Sequence, residues 1–302
     1  MRTYARVLPA AIAGVLVVFA PTVAAAPGTA PIQAPFPIAL QPDGVQARGA
    51  ALAEGNTGLT VWSREAHTRV PVASLTKVMT ALVVLEAGDL ERPVTVPQSA
   101  IDASAAHGGS SAGLVAGEVL TARQLLYAMM LPSGCDAAYA LAEAFGPGRE
   151  AFIGKMNATA HRLGMGNTHF TDPSGLPVPG DYSTYSTPAD MVRMGHHAMG
   201  NPVFRQIVGT RVHHQPAGPA NRAHVWENTN DLLHRYPGTT GIKTGSTNAA
   251  GTCLLFEAQR GAQRLIGVVL HSAPFDLDAA TADAERIMNW GFLPVLSSMS
   301  AG

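Results

Sequence analysis

The chain has 302 residues, of which 47% are hydrophobic and 14% are charged, and its formal net charge at pH 7 is −1. This composition is typical of a globular protein. Nucleic-acid binding requires an excess of positive charge, which the chain lacks, and aromatic residues make up only 6% of it, so that class of function is excluded.

The N-terminal segment departs from this average. Arg2 and Arg6 precede an apolar run over residues 7–19, and small residues follow at positions 23–26. This order predicts a cleavable export signal over residues 1–26. The apolar run is shorter than the ~20 residues that a bilayer-spanning helix requires, so cleavage is favoured over retention as a membrane anchor.

The rest of the chain divides into a spacer and one folded part. Residues 27–47 are rich in Pro and Ala and show no hydrophobic periodicity, which predicts a spacer outside the fold. Residues 48–302 remain for a single folded domain, which is long enough for one sizeable core or two closely packed lobes.

The folded part begins with strand-like patterns. Residues 59–62 and 70–72 are short apolar stretches separated by polar residues, which predicts an N-terminal hairpin. Residues 75–85 are apolar and helix-forming, and Gly88 follows as a stop signal. We therefore expect a buried helix with Ser74 at its entrance.

Further elements follow in order. Helices are expected over residues 118–131 and 137–145, with Ser133 in the tight connection between them. An antiparallel meander and a final helix complete the prediction, over residues 241–245, 251–257, 265–270 and 279–290.

Ser74 and Lys77 lie three residues apart at the predicted helix start, and therefore on one face. Taken alone, Ser74 is a common helix N-cap. A capping box, however, places Glu or Gln three residues later, whereas an ammonium group there faces the positive end of the helix dipole. The pair instead indicates catalysis, because a serine hydroxyl becomes a nucleophile when a desolvated lysine takes its proton.

The rarity of lysine supports this interpretation independently. Of the 20 lysines and arginines, three are lysines, namely Lys77, Lys155 and Lys243, which leaves 17 arginines. Arginine stays protonated in proteins, whereas a buried lysine can lose its proton. We expect such a chain to keep lysine where a titratable amine is needed, with Lys243 as the positive neighbour of Lys77.

The eleven histidines do not form a metal-binding pattern. The sequence contains neither a His-Glu-x-x-His motif nor a set of Cys and His at zinc spacing, so no metal and no cofactor are expected. The two cysteines, Cys135 and Cys253, are equally compatible with one disulfide and with two buried thiols.

Three motifs occur in order along the chain: Ser74-Leu75-Thr76-Lys77, Ser133-Gly134-Cys135 and Lys243-Thr244-Gly245. Each is weak alone, but together they resemble the Ser-x-x-Lys, Ser-x-Asn and Lys-Thr-Gly signature of the penicillin-recognising serine enzymes. More specifically, residues 59–292 resemble the low-molecular-mass penicillin-binding proteins that are serine-type D-alanyl-D-alanine carboxypeptidases. The supporting stretches are residues 71–77, 131–142, 170–176, 182–184, 228–233, 236–250 and 289–292.

The resemblance implies catalytic roles for the motif residues. Ser74 would attack the carbonyl between the two D-alanines that end a peptidoglycan stem peptide. Lys77 would act as the base, and Ser133 would pass the proton to the leaving amine. The backbone amides of Ser74 and Ser246 would form the oxyanion hole.

The resemblance also implies a site for the end of the substrate. Lys243 and Thr244 would bind the terminal carboxylate of the peptide, or that of a β-lactam antibiotic acting as an inhibitor. Gly245 would let the peptide backbone approach the strand. The resemblance places Ser246 and Cys135 among the substrate-binding residues as well. Cys135 stands where the family has Asn, and a thiol cannot replace both the donor and the acceptor of an amide. Either the substrate loses one polar contact there, or Cys135 forms a bridge to Cys253.

Two other functions compete with this one. A class A β-lactamase needs a glutamate for deacylation, but Glu143, Glu150 and Glu227 lack the expected sequence around them, and residues 172–176 occupy that region instead. A penicillin sensor that is acylated without turnover is the second alternative. Carboxypeptidase and endopeptidase activities use the same motifs, so the sequence does not separate them.

The resemblance implies a β-lactamase/transpeptidase-like fold of the α/β (α+β) class. We expect an antiparallel sheet of about five strands flanked by helices, with a helical subdomain between the first two motifs. The cleft would lie between sheet and subdomain, and the protein would be exported to the cell wall or secreted.

Overall fold

The computed structural model describes residues 41–293, so residues 1–40 and 294–302 lie outside the described part. The predicted export signal and most of the predicted spacer fall in the first of these gaps. Within residues 41–293, no helix combines the length and the apolar character that a bilayer crossing requires.

Strands and helices are mixed along the described chain. The strands are β1 (Gly49–Glu54), β2 (Thr60–Arg64), β3 (Pro93–Thr95), β4 (Val119–Thr121), β5 (Val212–Gln215), β6 (His224–Glu227), β7 (Thr239–Thr247), β8 (Gly251–Arg260) and β9 (Gln263–Leu270). The helices are α1 (Lys77–Ala87), α2 (Gln98–Ala106), α3 (Ala122–Met130), α4 (Cys135–Phe145), α5 (Arg149–Arg162), α6 (Pro188–Met199), α7 (Pro202–Val208), α8 (Leu232–Arg235) and α9 (Leu277–Gly291). A 3₁₀ turn, Ala73–Thr76, leads directly into α1.

The central sheet of the described chain has five antiparallel strands in the order β2-β1-β9-β8-β7. Strands β7, β8 and β9 form the predicted meander, and α9 follows them as expected. Helices lie on both faces of the sheet, which confirms the predicted fold class. Because β7 is an edge strand, the side that carries the Lys-Thr-Gly motif is left open to the catalytic cleft.

The N-terminal hairpin differs from the prediction. It is formed by β1 and β2, whereas residues 70–72 lie outside the sheet and Val70 makes only an isolated bridge to Ser186. Strand β1 consists largely of Gly and Ala, which have low strand propensity, so its sequence does not identify it. Its burial between β2 and β9 is what makes it a strand.

The two faces of the sheet belong to different cores. In β1, Ala50 and Leu52 face the core that is formed with α9, whereas Ala51 and Ala53 face the core that includes α1 and α6. This alternation follows from the two-residue period of a strand. Helix α1, which follows Ser74, therefore lies inside the larger core, with residues 77–84 buried.

The helical lobe lies beside the sheet and includes α2, α3, α4 and α5. Helix α3 begins at Ala122, four residues later than predicted, because Thr121 and Gln124 form a capping box there. Helix α4 begins at Cys135, two residues earlier than predicted. The sharp connection between the two helices presents Ser133 toward the sheet.

Residues close to the N-terminal boundary contact the folded part. The amides of Gln46 and Ala47 donate hydrogen bonds to the buried carboxylate of Asp283 in α9, at 2.9 and 2.7 Å. Val45 and Ala47 are themselves buried. Contacts with the domain thus begin slightly before Arg48, where the sequence analysis placed its start.

Candidate active site

Ser74 lies in the 3₁₀ turn that precedes α1. The sequence analysis placed it at the entrance of a helix starting at residue 75, and the observed α-helix begins at Lys77. The preceding residue, Ala73, has a positive φ of 48°, and the turn is closed by the Leu75 amide, which donates to the carbonyl of Val72. This tight turn directs the Ser74 hydroxyl toward a cavity between the sheet and the lobe.

Lys77 is fully buried, and its Nζ contacts three acceptors. Nζ lies 2.8 Å from Ser74 Oγ, 2.8 Å from the carbonyl oxygen of Ser174 and 3.4 Å from Cys135 Sγ. An ammonium group can donate to all three. A neutral amine can donate to two of them and direct its lone pair at the third, which is the arrangement that accepts a proton from Ser74.

The turn that carries the Ser174 carbonyl is organised by the buried carboxylate of Asp172. Asp172 Oδ1 accepts hydrogen bonds from the amides of Ser174 at 2.8 Å, Gly175 at 2.9 Å and Leu176 at 3.2 Å, while Oδ2 accepts from the hydroxyl of Tyr139 at 2.7 Å. Burial and the nearby Asp172 charge raise the pKa of Tyr139. The contribution of Asp172 to the site was not predicted from the sequence, although the Asp-Pro-Ser-Gly stretch is a recognisable turn signal.

Ser133 lies on the lobe side of the cavity. It is 7% exposed and has a φ of +65°, a backbone conformation that is costly for a residue other than glycine. The hydrogen bond from the Gly134 amide to the carbonyl of Ala128 helps to maintain the connection. The structure thus places Ser133 in the tight connection that the sequence predicts, on the cavity wall.

The proposed bridge between Cys135 and Cys253 is wrong, because both are free thiols. Cys135 begins α4 and directs Sγ toward Lys77, whereas the Cys253 thiol donates to the carbonyl of Ala250 at 3.6 Å. Burial raises the pKa of the Cys253 thiol to about 12. Cys135 is 2% exposed and is not among the residues that line the cavity, and its Sγ accepts from Lys77 Nζ.

Lys243 and Thr244 lie on β7, opposite the lobe. Lys243 is 1% exposed and its Nζ donates to Thr244 Oγ1 at 3.5 Å. Burial, followed by the positive charge of Lys77, lowers the pKa of Lys243 well below its ordinary value. The two lysines of the motifs are therefore close enough to interact electrostatically.

Gly245 is required for a different reason than the sequence analysis gave. A Cβ atom there would lie 3.0 Å from the Ser74 amide nitrogen and 3.2 Å from the Val72 carbonyl oxygen. Glycine thus lets the edge strand pack directly against the turn of the nucleophile. The distance between the two motifs depends on this packing.

The cavity between these elements has a volume of about 110 Å³. It brings together five of the predicted residues, Ser74, Ser133, Thr244, Gly245 and Ser246, with three that were not predicted. It is lined by Ser74, Ser110, Ser133, Thr229, Thr244, Gly245, Ser246 and Leu277. Lys77, Cys135 and Lys243 are buried and are not among the lining residues. Hydroxyl groups dominate the lining, which suits the binding of an oxygen-rich group such as a carboxylate.

Comparisons with known proteins agree with the family that the three motifs resemble. The family model for D-alanyl-D-alanine carboxypeptidases matches residues 37–273. The D-alanyl-D-alanine carboxypeptidase of Streptomyces sp. strain K15 is 42% identical over 260 residues, which cover 82% of this chain and 88% of the relative. A D-alanyl-D-alanine endopeptidase of Pseudomonas aeruginosa is 33% identical over 246 residues, covering 81% of this chain and 77% of the relative.

Solved structures agree with the fold. The crystal structure of the Streptomyces K15 DD-transpeptidase matches with a TM-score of 0.77 at 41% identity, and the match covers 82% of this chain and 97% of that one. A penicillin-binding protein homologue from Mycobacterium tuberculosis matches with a TM-score of 0.75 at 34% identity, covering 83% and 95% of the two chains. The chain therefore belongs to the family of serine-type D-alanyl-D-alanine carboxypeptidases.

Proposed function

We propose that this enzyme removes the C-terminal D-alanine from peptidoglycan stem peptides through an acyl-enzyme on Ser74. The observation that carries the proposal is the position of Lys77 Nζ, 2.8 Å from Ser74 Oγ and held by the Ser174 carbonyl on its other side. This places a buried amine at hydrogen-bonding distance from a hydroxyl that faces a cavity.

The reaction needs the cavity residues, the adjacent Lys77 and one water molecule. Ser74 Oγ attacks the carbonyl carbon between the two D-alanines while its proton passes to Lys77 Nζ. The backbone amides of Ser74 and Ser246 stabilise the oxyanion. The proton then moves through Ser133 to the departing amine, the C–N bond breaks and free D-alanine leaves. Water hydrolyses the ester and returns the proton to Ser74.

Substrate binding uses the strand side of the cavity. Thr244, which accepts from Lys243, binds the terminal carboxylate. The edge of β7 at Gly245 and Ser246 lies alongside the peptide. A β-lactam antibiotic carries a carboxylate at a comparable position, and it would acylate Ser74 in the same way. Cys135 is assigned to the support of Lys77, since it faces that side chain.

The protein would act outside the cytoplasm, because its substrate is in the cell wall. The predicted export signal over residues 1–26 supports this localisation. Transport by that signal is part of the proposal, and membrane tethering by an uncleaved segment is its alternative form.

The principal experiment compares wild type with Ser74→Ala on a pentapeptide ending in D-Ala-D-Ala. Wild type should release D-alanine, and Ser74→Ala should lower the rate by about a thousandfold or more, because the nucleophile is absent. Circular dichroism and thermal unfolding establish that the variant is folded. Absence of release by wild type, or equal release by both proteins, would contradict the proposal.

Two further arms separate the competing activities. Intact-mass detection after penicillin addition should show a long-lived adduct on wild type and none on Ser74→Ala. Rapid penicillin turnover would favour the β-lactamase, and an adduct without D-alanine release would favour the sensor. Incubation with a cross-linked peptide dimer tests endopeptidase activity, which the similarity to the Pseudomonas aeruginosa endopeptidase makes worth measuring.

A further inference from the structure

Thr229 lies at the cavity, although none of the three motifs includes it. It belongs to the segment between β6 and α8, and its amide donates to the carbonyl of Leu131, at the end of the lobe helix α3. Asn228 holds the segment in place by donating from Nδ2 to the carbonyls of Val208 and Thr210. Thr229 is therefore fixed where the lobe meets the sheet.

The Thr229 hydroxyl is paired with the hydroxyl of Thr244. The two Oγ1 atoms are 2.6 Å apart, and both residues line the cavity. Two hydroxyls carry two protons, of which their mutual hydrogen bond uses one. The other proton remains free to be donated to a ligand in the cavity. Lys243 also donates to Thr244 Oγ1, which biases Thr244 further toward acting as a donor to something else.

The wall of the cavity provides hydroxyl groups and no cationic side chain among its described residues. Lys243 is not among the lining residues, and its Nζ donates to Thr244 Oγ1. Leu277, which also lines the cavity, adds only apolar surface. The side-chain donors that this wall offers to a bound carboxylate are therefore hydroxyl groups.

We propose that Thr229 and Thr244 together form a two-hydroxyl site for the terminal carboxylate of the substrate, and that Thr229 is a specificity-determining residue. In one arrangement Thr229 donates to Thr244 and Thr244 donates to the carboxylate; in the other the order is reversed. In either arrangement one hydroxyl donates to the carboxylate and the other orients it by accepting or donating the shared hydrogen bond, so both contribute to the site. The inference rests on the proposed function, because it assigns the end of that substrate to this wall.

The test uses Thr229→Val, which keeps the shape and removes the hydroxyl, and Thr229→Ser, which keeps the hydroxyl. On the D-Ala-D-Ala peptide, Thr229→Val should lower kcat/KM by about tenfold or more, mainly through KM, as expected for a lost hydrogen bond to a charged group. Thr229→Ser should stay within about threefold of wild type. Thr239→Val is the matched control, since the Thr239 hydroxyl donates to the Tyr236 carbonyl away from the cavity.

A charge comparison separates binding from a purely structural effect. The rate of acylation is measured by intact mass with benzylpenicillin and with its neutral methyl ester. Thr229→Val should slow the acid by about tenfold and the ester by less than about twofold. Equal slowing of both ligands, or of neither, would overturn the assignment.

This arm also distinguishes the two proposals. If wild type is acylated but releases no D-alanine, the carboxypeptidase proposal fails. The ratio of the acylation rates with the acid and the ester still tests the role of Thr229. If wild type is neither acylated nor active on the peptide, both proposals fail.

Discussion

Lys77 and Lys243 illustrate at the scale of single residues why this chain keeps lysine at two positions. Both are essentially buried, and Lys77 lies close enough to contribute to the lowered pKa of Lys243. A guanidinium group at either position would remain charged, whereas an amine can be neutral. The Ser74 hydroxyl, the Ser174 carbonyl and the Cys135 thiol then define what the Lys77 amine can donate to and accept from.

The lowered pKa of Lys243 has a consequence for stability. Between its folded pKa and its unfolded value near 10.4, the unfolded chain binds more protons, so the Lys243 contribution to the free energy of unfolding rises with pH. Relative to Lys243→Met, wild type should gain stability by roughly 1 kcal/mol per pH unit at the steepest point. Urea unfolding of both proteins from pH 7 to 9.5 measures this difference. A difference that is constant or falls with pH would contradict the assignment.

Among secondary-structure elements, two turns fix the position of the proposed nucleophile Ser74. The turn at residues 172–176 packs against the 3₁₀ turn of Ser74, and Gly175, with a φ of +85°, is the contact point. A Cβ atom at Gly175 would lie only 1.9 Å from the carbonyl oxygen of Ala73. The position of the nucleophile thus depends on an element about 100 residues away in sequence.

We expect Gly175→Ala to lower both stability and acylation. Steric overlap together with the positive φ should cost roughly 2–4 kcal/mol of unfolding free energy and displace Ser74. Gly180→Ala is the control, because an added Cβ meets no atom within 4 Å there. Urea unfolding and the rate of penicillin acylation measure the two effects. Equal behaviour of the two variants would argue against a role for this contact.

The strands show which elements local sequence patterns can predict and which they cannot. The meander of β7, β8 and β9 was predictable because these strands are apolar, adjacent in sequence and separated by short turns. Strand β1 was missed, since Gly and Ala carry no strand signal and the pairing partner β9 is more than 200 residues away. The helix boundaries at α3 and α4 shifted by a few residues, where a capping box and a tight connection define the helix starts.

In the whole molecule, α9 joins the C-terminal part of the domain to its N-terminal boundary. The Asp283 carboxylate is fully buried and accepts from the amides of Gln46 and Ala47 and from Arg286. This contact lies in the core on the sheet face opposite the one that packs on α1. Its effect should therefore be on stability and not on chemistry.

Asp283→Asn should lower the free energy of unfolding by roughly 1–3 kcal/mol, because an amide group would face a backbone N–H that the carboxylate now satisfies. Asp278→Asn is the control: its ion pair with Arg235 is largely exposed and should contribute less than about 1 kcal/mol. Thermal unfolding gives the stabilities. D-alanine release measured well below the unfolding temperature should be unchanged, and a selective loss of activity would contradict this division of roles.

The sequence by itself determined the family, and it predicted the nucleophile and the importance of two lysines. These depend on short motifs, on a three-residue helical spacing and on composition, all of which are local properties. Only the tertiary structure decided that Cys135 faces Lys77 instead of Cys253, that Asp172 fixes the Ser174 carbonyl, and that Thr229 pairs with Thr244. Each of these contacts depends on how turns and strand edges pack, which hydrophobic periodicity does not encode.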